Sequence, residues 1–506
     1  MPPRFRSLPP VALWVALLVL AFALAGAAQA RPPAPDTPAG RLFDAWLAMF
    51  ESGDQARADA FRREHGGEAA DETVAFRGFT GGLDLRDIAG DGKRAVVATL
   101  RARDGAQMDV RVRLAVDPAR PQRIATLTVE PQPVPRLPMD DAVAGLRARL
   151  DALSAEDAFS GVVLVARGDR TLLREAWGSA DRVAAAPMTP ATRLRVASVG
   201  KLFTAVAALR LVERGRLSLD GTIGDYLPDY PGPAAARAVT VRQLLAHTSG
   251  LAEIDFADSP GIASPADWRA KRDALRTHAD YVAAYAARPM QFAPGARMAY
   301  DNYGFIVLGR ILERVTGQDY DALLKTEVFD PAGMTATSDG ADAPVAVGYT
   351  ARDGRWIAND DLLPARATAA GGIATTADDL LAFARALLDG RLLSPAMLAE
   401  ATRPQNAAGW YGLGFVRVGE GPLFRFGHAG DFPGMNADVR IFPATRTVLI
   451  ALSNLDPPAG YRPFRWFEPR MPPTSAHAAR ERPRLAPENE TRRKPGFACA
   501  LNARSP

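Results

Sequence analysis

The chain has 506 residues, 48% hydrophobic and 23% charged, with 61 Lys and Arg against 57 Asp and Glu for a net charge of +4. That length buries a large core and predicts more than one domain, while so small a charge excess without a recognition motif argues against a nucleic-acid binder. Cys499 is the single cysteine, which excludes intramolecular disulfides as staples.

At the N-terminus, Arg4 and Arg6 precede an apolar run over 11–25, and Ala28-Gln29-Ala30 has the A-x-A form of a cleavage site. Residues 1–30 are therefore expected to be a secretory signal peptide, giving a periplasmic or secreted mature protein cut near Ala30. Membrane contact is expected only through that peptide if it stays uncleaved, because the run is shorter than the ~20 residues of a span. Residues 31–130 predict a small α+β domain. It has an amphipathic helix over 41–52 (Leu42, Phe43, Trp46, Leu47, Phe50) and strands over 95–100, 108–116 and 123–129, with turn signals at Asp104-Gly105 and Pro118. This domain resembles the nuclear transport factor 2-like fold. Asp84, Arg86 and Asp87 are expected to be a solvated edge, and no catalytic constellation stands out.

Four prolines over 131–138 predict a semi-rigid linker. From 139 to 471 the pattern predicts a helix over 140–153 and a hairpin of strands 161–167 and 171–177 across Gly168-Asp169. A helix over 198–214 follows, stopped by Gly215. The charged, helix-prone stretch 252–288 is expected to form a lid or wall. Strands over 413–418, 424–427, 437–442 and 447–452 should join the early hairpin in one antiparallel sheet. A shortened helix is expected within 461–471, and residues 472–506, rich in Arg, Ala and Pro, are expected to be a disordered tail.

Three segments carry chemistry. Ser198-Val199-Gly200-Lys201 sets a hydroxyl and an amine one turn apart, in a chain whose only lysines are Lys93, Lys201, Lys271, Lys325 and Lys494. Ser198 is expected to open its helix, where Lys201 can take its proton if burial lowers the amine's pKa. Alone, Ser-x-x-Lys more often marks an N-cap and a solvated lysine. Tyr300-Asp301-Asn302 enters the apolar run Phe305, Ile306, Leu308, Ile311, Leu312. A Tyr hydroxyl beside a cation is expected to titrate below its usual range and shuttle a proton, and the Asn amide to orient a substrate carbonyl or amide. Gly427-His428-Ala429-Gly430, followed by Asp431, enters a strand whose small residues let a substrate lie along its edge.

In this order, and together with Leu244-Leu245-Ala246-His247-Thr248-Ser249-Gly250-Leu251, Gly371-Gly372-Ile373-Ala374-Thr375-Thr376 and Tyr411-Gly412-Leu413-Gly414-Phe415, the three segments resemble the serine penicillin-recognising enzymes. These are the class C β-lactamases, D-alanyl-D-alanine peptidases and related esterases. The resemblance implies a β-lactamase/transpeptidase-like fold, an antiparallel sheet flanked by helices with an all-helical region. It implies Ser198, Lys201 and Tyr300 as catalytic residues, Asn302, His428 and Gly430 as substrate-binding residues, and the backbone N–H groups of Ser198 and Asp431 as oxyanion hole. The third motif departs from Lys-Thr-Gly: His428 is charged for only part of its population near neutral pH, and Ala429 lacks the hydroxyl. Weak or absent β-lactam turnover is therefore expected.

The implied substrates are esters or D-amino-acid peptides, small molecules or peptides including cell-wall fragments. The alternative is a penicillin-binding sensor that acylates without turnover. Ser249 lacks the setting of a nucleophile elbow, and His247 is expected to be structural. His65, His278 and His477 are scattered without H-E-x-x-H, and no phosphate-binding glycine loop occurs, so neither metal nor organic cofactor is expected.

Overall fold

The computed structural model describes residues 32–472 except 92, 105–106, 258, 260–261 and 408. The expected signal peptide, His477, Cys499 and all of the expected tail but Pro472 lie outside the described residues. Two compact units divide between Val134 and Pro135. Among the described residues no helix is long and apolar enough to cross a membrane.

The first unit opens with α1 (Pro38–Ser52), whose start is set by Pro38 and by the Thr37 hydroxyl accepting from Gly40 N–H at 3.1 Å. Helices α2 (Gln55–His65) and α3 (Ala70–Thr80) follow. Strands β1 (Leu83–Gly90), β2 (Ala95–Ala102), β3 (Asp109–Val116) and β4 (Ile124–Pro131) then form an antiparallel meander in that order. Leu42, Phe43, Trp46, Leu47 and Phe50 of α1 pack on Val96, Ala98, Leu100, Val110, Val112 and Leu114, the inward alternation of the sheet. The sequence pattern missed α2, α3 and β1. Asp84 and Asp87 do lie on an edge strand, with Asp84 paired to Arg103 at 2.7 Å.

The second unit begins with α4 (Met139–Ala155) and the hairpin β5 (Gly161–Arg167) and β6 (Arg170–Trp177). A short strand β7 (Leu194–Arg195) leads into a 3₁₀ turn at Ala197–Gly200 and helix α5 (Lys201–Glu213). Helices α6 (Pro265–Ala274), α7 (His278–Tyr285) and α8 (Tyr303–Thr316) come from the middle of the chain, and β8 (Ala374–Thr375) pairs with β7. Helix α9 (Ala377–Leu388), strands β9 (Val416–Val418), β10 (Arg425–Phe432), β11 (Met435–Phe442) and β12 (Thr447–Ser453), and helix α10 (Arg462–Phe467) complete it. One six-stranded antiparallel sheet runs β9-β10-β11-β12-β5-β6, so both ends of the unit build it, as the hydrophobic pattern predicts.

Both faces of that sheet are covered, which explains its unbroken apolar strands. Val162, Leu164, Val448, Ile450 and Leu452 face the core made with α5, α8 and α9. The alternate residues Val163, Val165, Leu449 and Ala451 face Leu146 and Leu150 of α4 and Phe464 and Phe467 of α10. Two boundaries differ in ways that matter for the site. Ser198 lies in the 3₁₀ turn that precedes α5, rather than in its first α-helical turn. The strand expected to stop at Gly427 continues to Phe432, putting His428, Gly430 and Asp431 inside β10.

Candidate active site

Two loops and a strand edge meet around Lys201. The 3₁₀ turn presents a half-buried Ser198, and Lys201, fully buried, returns its amine to within 3.1 Å of Ser198 Oγ. The same Nζ donates to Asn302 Oδ1 at 2.7 Å and to the Ala370 carbonyl at 2.7 Å. It also sits 4.7 Å from the Tyr300 ring centre and 5.4 Å from that of Phe305. Burial pulls the Lys201 pKa down to about 7, against the opposing pull of the Glu253 and Asp301 carboxylates.

The turn is held tightly. Ala197 has a left-handed φ of 43°, a conformation costly for a residue with a Cβ. Gly371-Gly372 supports it: Gly372 N–H donates to Ala197 O at 3.2 Å, and a methyl on Gly371 would stand 2.4 Å from that oxygen. On the other side, a methyl on Gly430 would stand 2.2 Å from Val196 O and 3.1 Å from Ser198 N. Only a glycine lets β10 pass this close to the turn. Gly430→Ala is therefore expected to push the strand off the turn and lower kcat by about 100-fold or more, with a smaller change in KM, in steady-state kinetics.

The register of β10 decides what its edge offers. Phe432 and Met435 close a two-residue hairpin over Pro433-Gly434, and pairing continues without a shift from Asp431↔Asn436 to Phe426↔Ile441. Alternation from the closing pair turns the N–H and C=O of Asp431 and Ala429 away from β11. Strand β9 covers only Arg425–Gly427 of this edge. The Asp431 N–H is thus free of β11, next to the Gly430 that meets the Ser198 turn. The Asp431 carboxylate is held aside, accepting from Asn436 Nδ2 at 2.6 Å and from the Tyr461 hydroxyl.

Tyr300 keeps 41% of its surface exposed, and Ser198 is among the groups acting on its hydroxyl. Its pKa moves opposite to the expectation from the neighbouring cation. Burial of the hydroxyl and the carboxylates of Glu253, Asp431 and Asp301 raise it, so Tyr300 stays a protonated phenol. Asn302 occupies the N-cap position of α8 without capping it. Glu253 does so instead: Oε1 accepts from Tyr303 N at 3.3 Å and Ile254 N at 2.7 Å, and Oε2 from Asn302 N at 2.8 Å and Nδ2 at 3.1 Å. That last bond turns Asn302 Oδ1 toward Lys201. The sequence reading missed Glu253, and its signal, an acid three residues past Gly250, has meaning only once the fold brings it to α8. Glu253→Ala is expected to leave three backbone N–H donors and the Asn302 amide short of an acceptor and to destabilise the fold by about 2–4 kcal/mol in chemical denaturation.

His428, expected to carry part of a charge, does not. Burial and nearby Lys201 drop its pKa to about 3, leaving it neutral. Both ring nitrogens are engaged, Nε2 with Tyr411 Oη at 3.0 Å and Nδ1 with the Ala429 carbonyl at 2.5 Å. His247 is buried and bonded to Tyr411, and Ser249 donates to Asp301 Oδ2 at 3.2 Å, so both are structural as expected. His278 joins Glu313 at 2.8 Å and accepts from Ala369 N–H at 3.0 Å, bracing the segment whose Ala370 carbonyl holds Lys201. Within the stretch expected to be a lid or wall, α6 and α7 form, and the Phe256 ring meets Phe432 of β10 edge-on at 6.1 Å. A cavity of about 110 Å³ lined by Arg195, Asn359, Asp360 and Asn454 lies elsewhere and includes none of these site residues. Among the described residues no group of three His, Cys, Asp or Glu side chains is arranged to hold a metal ion.

Comparison with known proteins agrees with this geometry. The family profile described as Beta-lactamase matches residues 146–469. The chain is 31% identical to penicillin-binding protein 4 of Amycolatopsis lactamdurans over 336 residues, covering 60% of this chain and 84% of that protein. It is 32% identical to esterase EstB of Burkholderia gladioli over 326 residues, covering 56% and 79%. The solved D-amino acid amidase from Ochrobactrum anthropi SV3, complexed with D-phenylalanine, matches with a TM-score of 0.54 at 27% identity, covering 65% of this chain and 98% of that one. The chain belongs to the β-lactamase family of serine hydrolases.

Proposed function

We propose that this hydrolase cleaves esters or D-amino-acid amides and peptides through an acyl-enzyme on Ser198, with little β-lactam turnover. The observation that carries the reading is the bonding of Lys201. A neutral amine has two N–H donors and one lone pair, and its three partners are two acceptors, Asn302 Oδ1 and Ala370 O, and one hydroxyl, Ser198. The lone pair is thus left for the Ser198 proton.

In the reaction, Ser198 Oγ attacks the scissile carbonyl as its proton passes to Lys201 Nζ. The N–H groups of Ser198 and Asp431 receive the negative oxygen, each such donor worth about 3 kcal/mol in the transition state. Tyr300, a phenol beside Lys201 and Ser198, relays a proton to the leaving group, donating its own and taking back the one that Lys201 received. Water then releases the acyl group along the reverse path. Asn302, His428 and Gly430 line the substrate site, and no metal or organic cofactor enters. Neutral His428 gives a substrate carboxylate neither charge nor a free N–H, which supports weak β-lactamase activity. The N-terminal pattern supports secretion after cleavage near Ala30, which places cell-wall fragments among the reachable substrates.

The test incubates the mature protein with p-nitrophenyl esters, D-amino-acid amides, a D-Ala-D-Ala peptide, a cephalosporin and a labelled penicillin, following turnover and adduct mass. Turnover of an ester or D-amino-acid substrate is expected, with cephalosporin hydrolysis slower by about 1,000-fold or more in kcat/KM. A stable single adduct with no turnover of any substrate would make the protein a penicillin-binding sensor.

A further inference from the structure

A buried hydrogen-bonded path runs from the Tyr300 loop to the open edge of β10, and its two ends force every donor and acceptor along it. At one end the Asp301 backbone N–H can only donate, and it meets His247 Nδ1 at 3.2 Å. His247 Nδ1 is therefore an acceptor, and its proton sits on Nε2, which donates to Tyr411 Oη at 3.1 Å. The Tyr411 O–H then donates onward to His428 Nε2 at 3.0 Å. At the other end the Ala429 carbonyl can only accept, and it takes His428 Nδ1–H at 2.5 Å. All three rings are buried, His247 fully, Tyr411 to within 1% and His428 to within 5%. Burial to this depth makes each of these partners costly to replace.

We infer that Tyr411 is a specificity-determining positioning residue, which locks His428 as the neutral Nδ1–H tautomer and so makes the site discriminate against substrates bearing a carboxylate beside the scissile bond. Adding a proton to His428 Nε2 sets it against the Tyr411 O–H, and turning that O–H round sets it against His247 Nε2–H. The reversal cannot pass further, because His247 Nδ1 is held by a backbone donor. Protonation of His428 thus leaves the buried Tyr411 O–H with no acceptor along the path, even where its oxygen accepts from both imidazoles. The lock also occupies the Ala429 carbonyl, which the register turns to the open edge. The inference rests on the acyl-transfer reading for its substrate consequence, although the tautomer itself does not.

The groups around His428 reinforce the lock. Lys201 reaches it from α5, and Tyr300, with its ring centre 6.4 Å away, from the loop before α8 beside Asp301. On β11, Asp438 and Arg440 alternate to the face opposite Val439, the register partner of His428, and pair with each other at 2.6 Å. No carboxylate hydrogen-bonds the imidazole in the described structure.

Two measurements test this. In the full-length protein labelled with ¹⁵N-histidine, one residue assigned through His428→Gln is expected to show the Nδ1–H pattern and no titration between about pH 5 and 9. An Nε2–H pattern or a titration in that range overturns the proposal without reference to any substrate. In Tyr411→Phe, which keeps the ring and removes the O–H, the rate of Ser198 acylation by benzylpenicillin relative to its methyl ester is expected to rise by about tenfold over the parent, because His428 is released to present an N–H to the carboxylate. An unchanged ratio in a variant that still acylates overturns the specificity role. Failure of the parent to acylate with either compound sinks the acyl-transfer reading and leaves the tautomer result standing.

Discussion

Ser198→Ala is expected to form no covalent adduct with any ester or penicillin and to lose about five to six orders of magnitude in kcat, as when the nucleophile is removed from other serine hydrolases. Adduct mass and stopped-flow turnover check it. The loss separates chemistry from folding because Ser198 Oγ is one of three partners of Lys201. The amine keeps Asn302 Oδ1 and Ala370 O, so stability changes by about 1 kcal/mol. The 3₁₀ turn also stays, since Gly371-Gly372 and Gly430 brace its backbone and not the hydroxyl. A Ser198→Ala protein that still acylates would move the nucleophile elsewhere. Ser249, fully buried and donating to Asp301, offers no route for a substrate.

What the sequence discloses depends on whether the information is local. Ser198 and Lys201 are one turn apart, and the apolar runs of β5 and β12 announce strands buried on both faces, so both were legible. Helix α2 was not, because only Ala58 of it is buried and no apolar period marks it. Its signals are the Asp54 cap, accepting from Arg57 N–H at 2.7 Å, and the basic residues of its last turn. The missed parts of the site follow the same rule. Glu253 and Ala370 reach Asn302 and Lys201 across long stretches of chain, Glu253 from a segment that looks merely charged, while Tyr411 was legible as part of a motif but not as the partner of His428.

The charge states of Tyr300 and His428 were misjudged for one reason, the one that the reading of Lys201 had already used. Model-compound values assume water around each group, yet burial here acts on all of them at once. It pulls Lys201 down to about 7 and His428 to about 3, pushes Asp301 up to about 7, and raises Tyr300. The cation expected to activate Tyr300 is itself half neutralised, while the carboxylates around the phenol hold its proton on. Base and relay are thereby assigned to different groups, with Lys201 titrating in the working range and Tyr300 outside it.

Lys201→Met carries that assignment to its sharpest consequence. Methionine fills the buried space with no proton acceptor, and loss of the general base is expected to cost about 1,000- to 10,000-fold in kcat/KM for a p-nitrophenyl ester. The sign of the pH dependence follows from the active form. Neutral Lys201 accepts the Ser198 proton, so in the parent kcat/KM rises about tenfold per pH unit below 7 and levels off above it, the pKa being about 7. In Lys201→Met the break near pH 7 disappears, and the residual rate follows hydroxide alone, rising with pH throughout. Lys201→Arg is expected to be as inactive as the Met variant despite its charge, because a guanidinium does not deprotonate at any working pH. An Arg variant with substantial activity would show that a fixed positive charge, and not a lone pair, is what Ser198 needs. The Met variant keeps its fold at a cost, since Asn302 Oδ1 and Ala370 O each lose a donor worth about 1–3 kcal/mol in a buried site. Relief of burying a partly charged amine offsets part of it, so a cooperative melt at lower temperature, together with a pH profile that has no break near 7, is the joint signature.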